Sequence, residues 1–251
     1  MAKLTWDKTG QRVFETGVDH GVLYPYTGEN GAPAAGVPWN GLTTVTESPD
    51  GAEASPQYAD NIKYLNLISA EEFGATIECF AYPPEFAVCN GEAEVATGVT
   101  IGQQPRKKFG FCYRTKIGND QDGQDHGYKL HIIWGATASP SEKAFATVND
   151  SPEPISFSFD ISTEMQDVTG FSPTATMTID STKTDKTKLK SLEDLLYGTE
   201  SQEPKLPTPD EVVALIGNAD PGNQSASAQD STRSSVAPES TRSLASARSN
   251  N

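Results

Sequence analysis

Apolar and polar side chains alternate without interruption in Ile155-Ser156-Phe157-Ser158-Phe159-Asp160-Ile161-Ser162. Successive side chains of a β-strand point to opposite faces of its sheet. This spacing therefore predicts a strand that buries isoleucine and phenylalanine on one face and exposes serine and aspartate on the other.

The same alternation returns in other parts of the chain. It occurs in residues 76–82, 109–113, 128–134 and 174–180. The first of these segments is ended by Pro83 and Pro84, because proline cannot donate a hydrogen bond to a neighbouring strand. Many strands without intervening helices are typical of antiparallel sandwiches and barrels. The sequence thus predicts a mainly β protein built as an antiparallel β-sandwich or barrel.

The N-terminal quarter differs in composition from the rest. Residues 1–60 are rich in glycine and proline, with turn-forming sequences at 24–28 (Tyr-Pro-Tyr-Thr-Gly) and 36–41 (Gly-Val-Pro-Trp-Asn-Gly). This composition predicts an extended arm with short strands, of the kind that a neighbouring molecule holds in place. The sandwich is expected over residues 61–217, as one domain with the arm.

Two helices are predicted after the last strand, near residues 186–197 and 209–216. Leucines recur at helical spacing in the first, at Leu189, Leu192, Leu195 and Leu196, and Gly198 stands at the position of a C-terminal cap. The second begins with Thr208 as cap, Pro209 in the first turn and Glu211 three residues after the threonine. This combination indicates a capping box.

Residues 218–251 form a Ser/Ala/Arg-rich tail, which has too few apolar residues to form a core. The chain carries a net charge of −15, and the charges of residues 219–251 balance, so all of the excess lies before the tail. Binding to nucleic acid needs lysine and arginine for the phosphates, and this charge argues against a protein that grips DNA. It does not argue against a surface past which DNA slides.

Three cysteines, Cys79, Cys89 and Cys112, have no metal-ligand spacing. An odd number of thiols predicts reduced, partly buried cysteines in a cytoplasmic protein, and a Cys79–Cys89 bridge is the alternative. No run approaches the roughly 18 apolar residues of a membrane helix. The first residues lack the apolar core of a secretory signal, so we expect neither membrane insertion nor Sec-dependent export.

Chemistry-bearing motifs are scarce. The sequence has no glycine-rich phosphate loop, zinc spacing or nucleophile elbow, and we expect neither an enzyme nor a cofactor. Asp120, Asp122 and Asp125 are a weak candidate for a calcium site, but the loop lacks the closing glutamate of an EF-hand. A solvated hairpin tip explains these residues better. His131 falls on the polar phase of its strand, which predicts a solvated or core-edge position.

Many short phrases, in order, resemble the major tail tube proteins of siphophages that infect Gram-positive hosts. The densest match runs from Tyr64-Leu65-Asn66-Leu67 through Glu71-Glu72-Phe73-Gly74-Ala75-Thr76-Ile77-Glu78 and continues with Tyr82-Pro83 to Asn90-Gly91. The others lie at 6–12, 15–19, 39–42, 109–114, 118–120, 126–131, 138–143 and 149–152. The resemblance covers nearly everything up to residue 217 and leaves the tail outside.

The resemblance implies two packed β-sheets with a flanking helix, assembled as hexameric rings. In that family the rings stack around the tape measure protein and later conduct double-stranded DNA without binding it specifically. The tail terminator and distal tail proteins are then further partners, with assembly in the host cytoplasm and a final place in the virion tail. The residues lining the channel stay unassigned, because a one-residue slip exchanges the two faces of a strand. The alternative is a carbohydrate-binding β-sandwich or adhesin.

Overall fold

The computed structural model describes residues 4–147 and 154–217. These residues form mainly antiparallel β-structure, followed by two helices. The strands are β1 (Val13–Pro25), β2 (Val37–Trp39), β3 (Leu42–Glu47), β4 (Asp50–Gly51), β5 (Ala54–Ala59), β6 (Ile62–Ile68), β7 (Glu71–Glu72), β8 (Gly74–Cys79), β9 (Ala93–Ala96), β10 (Val99–Ile101), β11 (Phe109–Asn119), β12 (Gly123–Ala138), β13 (Phe157–Thr163) and β14 (Thr176–Asp180). The helices are α1 (Lys186–Tyr197) and α2 (Pro209–Ile216).

Eight strands form one sheet in the order β2-β1-β11-β12-β13-β8-β3, and β14 is added beside β12. The long strand β12 changes partner along its length: residues 129–133 pair with β14, and residues 136–138 pair with β13. Gly135 separates the two segments with a φ of 60°. A Cβ atom there would lie 2.7 Å from the carbonyl oxygen of Glu164. The chain therefore needs glycine at this point.

The partner change divides the sheet into two layers. We call β2, β1, β11, β12 and β14 the large sheet, and β13, β8 and β3 the small sheet. The core between them contains Trp39, whose ring centroid lies 5.4 Å from that of Phe111 on the large sheet and 6.3 Å from that of Phe159 on the small sheet. Its fully buried members include Leu23, Ile77, Cys79, Phe86, Phe109, Phe111, Ile133 and Phe159. The chain is thus a mainly β, antiparallel protein in which two layers enclose a core, as predicted.

The two helices cover the other side of the large sheet. Leu192 and Leu196 of α1 are fully buried there against Leu130 and Ile132 of β12. Both helices have the predicted bounds, and Thr208 and Glu211 form the predicted capping box. The N-terminal cap of α1 is Asp185, whose carboxylate accepts hydrogen bonds from the backbone of residues 187 and 188. This negative charge offsets the unfavourable lysines of the first turn.

The prediction of an extended arm over residues 1–60 is wrong for most of that segment. Strand β1 lies inside the large sheet between β2 and β11, and its residues Leu23 and Tyr24 are fully buried. The glycines and prolines that suggested an arm are divided between the strands, as at Gly17, Gly21 and Pro38, and their connections, as at Gly28 and Gly36. The boundary at residue 61 is wrong as well, since the sandwich begins with β1. Residues 218–251, the predicted tail, lie outside the described residues.

A hairpin projects from the small sheet between β3 and β8. Beyond the short pair β4–β7, strands β5 and β6 pair with each other alone, and every residue from 54 to 68 is exposed. Asp60 and Asn61 form its tip with φ angles of 50° and 65°, as a tight hairpin turn requires. We call β5 and β6 the ribbon. Residues 62–68, which the sequence placed in the sandwich, therefore lie outside its core.

Candidate functional site: the polar face of the small sheet

Among residues 4–147 and 154–217, one face of the small sheet is covered by the core and no element covers the other. In β13, Phe159 and Ile161 point into the core, and Ser158, Asp160 and Ser162 point away from it. The register places Glu78 of β8 between Ser158 and Thr44, and Thr76 between Asp160 and Thr46. We call this outward surface the polar face. It comprises Thr44, Thr46, Thr76, Glu78, Ser158, Asp160 and Ser162, with Thr137 of β12 beside Ser162.

The polar face carries hydroxyl groups and two carboxylates, and none of these eight residues is a lysine, arginine or histidine. The Thr76 hydroxyl donates a hydrogen bond of 2.7 Å to the Asp160 carboxylate. Among the ion pairs of the described residues, none includes Glu78 or Asp160. Both carboxylates therefore contribute uncompensated negative charge. A surface of this composition repels phosphate and offers it no cationic partner.

The edge of the small sheet is open. Strand β3 ends the strand order, so within the described residues its outer edge has no partner strand. An unpaired edge of this kind is a template for pairing with another chain. The polar face can therefore continue into a neighbouring molecule without a break in the sheet.

A partly buried polar cluster connects β3 to the large sheet. The Tyr113 hydroxyl donates a 2.6 Å hydrogen bond to the Glu47 carboxylate, and Nδ1 of His131 lies 3.4 Å from the same oxygen. The His131 ring stacks on Tyr113 at 4.6 Å and contacts the Thr115 hydroxyl at 3.0 Å. The hydrogen bond to His131 lowers the pKa of Glu47; burial opposes this shift, and the Tyr113 hydroxyl supports it. His131 is buried at the edge of the core, and its contacts hold β3 against the large sheet.

Asp120 and Asp122 lie in the connection of the β11–β12 hairpin, and Asp125 lies in the first residues of β12. The Asp120 carboxylate accepts a hydrogen bond from the backbone of Gly10, and the Asp122 carboxylate lies 3.0 Å from the Asn119 amide and 2.9 Å from the His126 ring. These bonds shape the turn and its contact with the N-terminal segment. Over residues 4–147 and 154–217, no group of three or more metal-binding side chains comes together.

The three cysteines are free and buried. Burial raises the pKa of the Cys89 thiol to about 12, and it raises that of the Cys112 thiol to about 12 as well. Thiols in this state are poor nucleophiles.

No helix in the described part of the chain is long and apolar enough to cross a bilayer.

Sequence reasoning named no residue of the polar face as functional. The alternation in residues 155–162 could have indicated this face, because the polar residues between the buried ones form its surface. Thr44 and Thr46 carried no such signal, since their segment was assigned to the arm.

No protein-family model matches the chain, and no curated protein matches it either.

Proposed function

We propose that the protein is a structural subunit of a phage tail tube, which stacks as hexameric rings around a channel that conducts double-stranded DNA. The proposal rests on the resemblance of many ordered phrases up to residue 217 and on one structural observation. That observation is the uncovered polar face, on which Glu78 and Asp160 stand among hydroxyl groups without a cation. In the proposed tube this face lines the channel.

A channel for DNA has two physical requirements. Its wall must not bind phosphate, and its lining must be continuous around the axis. Carboxylates and small hydroxyl groups meet the first requirement, because each inward lysine or arginine would release counterions from the DNA and hold it. The open edge of β3 supports the second, since pairing of small sheets between neighbouring copies closes a barrel and removes the exposed edges.

The covered side of the subunit is compatible with the same arrangement. Helices α1 and α2 shield the large sheet, so the polar face and the helices lie on opposite sides of the sandwich. Only the small sheet is then available for a wall. The helix side faces outward in the proposed ring. Before infection the channel holds the tape measure protein, and the tube ends contact the tail terminator and distal tail proteins.

A carbohydrate-binding sandwich or adhesin is the alternative, for which exposed aromatic residues and the aspartate-rich loop at 120–125 would be natural. The exposed aromatic residues include Trp6, Tyr58, Tyr64, Phe80, Phe145 and Phe171. A sugar-binding platform needs neighbouring rings, yet no ring contact of the described residues joins two of these side chains. Their separation favours assembly contacts over a sugar site.

Electron microscopy of the purified full-length chain tests the proposal. At high concentration, and without a cofactor, we expect six-fold rings or hollow tubes, with light scattering that rises with concentration. A chain that remains strictly monomeric at high concentration and high salt contradicts a tube subunit. Monomers that bind immobilised glycans would favour the adhesin instead.

A further inference from the structure

A lysine, a glutamate and an asparagine form a partly buried cluster away from the polar face. Nζ of Lys143 donates a 2.7 Å hydrogen bond to Oε1 of Glu92, and Nδ2 of Asn90 donates a 3.1 Å hydrogen bond to the same oxygen. Lys143 belongs to the connection between β12 and β13, whereas Asn90 and Glu92 belong to the connection between β8 and β9. One carboxylate oxygen therefore bridges an amine and an amide from two distant segments of the chain.

The surroundings hold these three side chains in place. The backbone amides of Asn90 and Glu92 donate hydrogen bonds of 3.1 and 2.8 Å to the carbonyl oxygen of Ala87, so one turn positions both. Nζ of Lys143 lies 5.4 Å from the ring centroid of Tyr82 and donates a 3.3 Å hydrogen bond to its hydroxyl. Asn90 is buried, and the side chains of Glu92 and Lys143 are only 24 and 27% exposed. Bulk water therefore has limited access to the cluster.

A cation lies beside the amide oxygen of Asn90. Nη1 of Arg106 is 3.5 Å from this oxygen, and it donates a 3.0 Å hydrogen bond to the carbonyl oxygen of Ala138 at the end of β12. A carbonyl under nucleophilic attack develops negative charge on its oxygen, and a positive group already in place stabilises that charge. The cluster thus combines an amine nucleophile, a proton carrier, an amide electrophile and a cation for the oxygen.

We infer that Lys143 and Asn90 join autocatalytically in an isopeptide bond, with Glu92 as the proton carrier. Glu92 accepts a proton from the Lys143 ammonium, and the neutral Nζ attacks Cγ of Asn90. Glu92 then protonates Nδ2, the Cγ–Nδ2 bond breaks, and ammonia leaves. The second proton that Nζ loses passes through the carboxylate to the ammonia, which departs as ammonium. One amide replaces another, so no oxidant, metal or cofactor is required.

The protonation state of the lysine makes this reaction slow. Burial lowers the pKa of Lys143, but its hydrogen bonds to Glu92 and Tyr82 raise the pKa by more, so the amine is protonated at rest. The nucleophile exists only after its proton has moved to the carboxylate. Positioning compensates for this, because reactants held together reach effective concentrations of about 10⁵–10⁸ M. We therefore expect one slow turnover per chain, which takes place only after folding has assembled the cluster.

Mass spectrometry of the purified full-length chain tests the inference. The intact chain should be lighter than its sequence by one ammonia, and a protease digest should contain a branched peptide that joins the segments around Asn90 and Lys143. Gly91 follows Asn90, and an Asn-Gly pair also loses ammonia when it cyclises to a succinimide. Only the branched peptide supports the inference. Loss of ammonia with two separate peptides overturns it, and so does a chain that keeps its full mass after prolonged incubation at neutral pH.

Three variants test the role of each group. Lys143→Arg keeps a positive charge beside Glu92 but removes the nucleophile, and Glu92→Gln keeps both reacting groups but removes the proton carrier. Lys108→Arg is the matched control, because Lys108 is also paired with a carboxylate, that of Glu164. Circular dichroism establishes that each variant is folded.

We expect the branched peptide in the control and in neither of the other two variants. Lys143→Arg should melt roughly 10 °C below the wild type, because the isopeptide bond closes a loop of about fifty residues that is then free to unfold fully. The control should melt like the wild type. A branched peptide that forms as fast in Glu92→Gln as in the wild type overturns the assignment of Glu92. None of these measurements requires assembly, so their failure leaves the proposed function untouched.

Discussion

Reversing the charge of the polar face is expected to make the proposed channel hold DNA. The variant carries Glu78→Lys and Asp160→Lys, which changes the charge by four units per copy. Both side chains point away from the core, so the substitutions leave the packing of Ile77 and Phe159 intact. The main local loss is the Thr76–Asp160 hydrogen bond, which costs about 1 kcal/mol in a typical protein.

The salt dependence sets the expected magnitude. Each lysine that neutralises a phosphate of duplex DNA contributes about 0.9 to the slope of log K against log salt concentration. If both lysines of one copy contact phosphates, the contribution of that copy to DNA binding is expected to be roughly tenfold stronger at 50 mM salt than at 200 mM. The wild-type face has no cation and is expected to retain no DNA under either condition.

Nuclease protection measures where the DNA is held. Tubes are assembled in the presence of a short duplex and then treated with nuclease, so that only DNA inside the channel survives. The control carries Glu200→Lys and Glu203→Lys, the same charge change at exposed positions in the connection between the two helices. We expect protected DNA in the face variant and nuclease-sensitive DNA in the control. Equal protection in both variants, or protection in wild-type tubes, refutes the assignment of the polar face to the channel.

Three further predictions concern stability. Because the pKa of Glu47 is lowered in the folded state, its interactions with His131 and Tyr113 stabilise the fold above about pH 4.5. This stabilisation is lost as the pH falls through the lowered pKa. The difference in melting temperature between wild type and Glu47→Gln should therefore shrink from pH 7 to pH 3. Gly135→Ala should lower the free energy of unfolding by more than the roughly 1–2 kcal/mol of an alanine in the left-handed conformation, because its Cβ atom would contact the Glu164 carbonyl. Gly98→Ala is the control: Gly98 has a φ of 77° and open space around it, so this variant measures the backbone cost alone in the same denaturant titration. A chelator should leave the melting temperature unchanged, because Asp120 and Asp122 already have hydrogen-bond partners; a calcium-dependent rise would contradict this.

The sandwich and its helices could be predicted because their signals are local. Alternation in 155–162 identifies β13, and the spacing of leucines together with the cap at Thr208 identifies the helices. Such patterns report which face of an element is buried. They do not report which strands become neighbours, so the pairing of β1 with β11 could not be predicted from them. Glycines in β1 accompany its two register shifts, and in the sequence they resembled loop residues.

The polar face could not be located because it depends on pairing between distant segments. Thr44, Thr76 and Asp160 come from three strands separated by up to 116 positions in sequence, and only the register of β3, β8 and β13 brings them onto one surface. The ribbon was missed for a different reason. Strand β6 has the apolar composition of a core strand, and composition alone does not distinguish a side chain that is buried within its own subunit from one that is exposed on it.

The distribution of side chains separates two tasks that conflict physically. A surface that associates with another copy needs apolar contacts, and a surface that lets DNA pass must offer neither apolar nor cationic contacts. The ribbon carries exposed leucine, isoleucine and tyrosine residues, whereas the eight residues of the polar face include none of these. Because β3 and β8 belong to the polar face and also lead into the ribbon, the same two strands fix the position of one surface relative to the other. Charge reversal on the polar face should therefore change DNA retention without changing the association of the subunits.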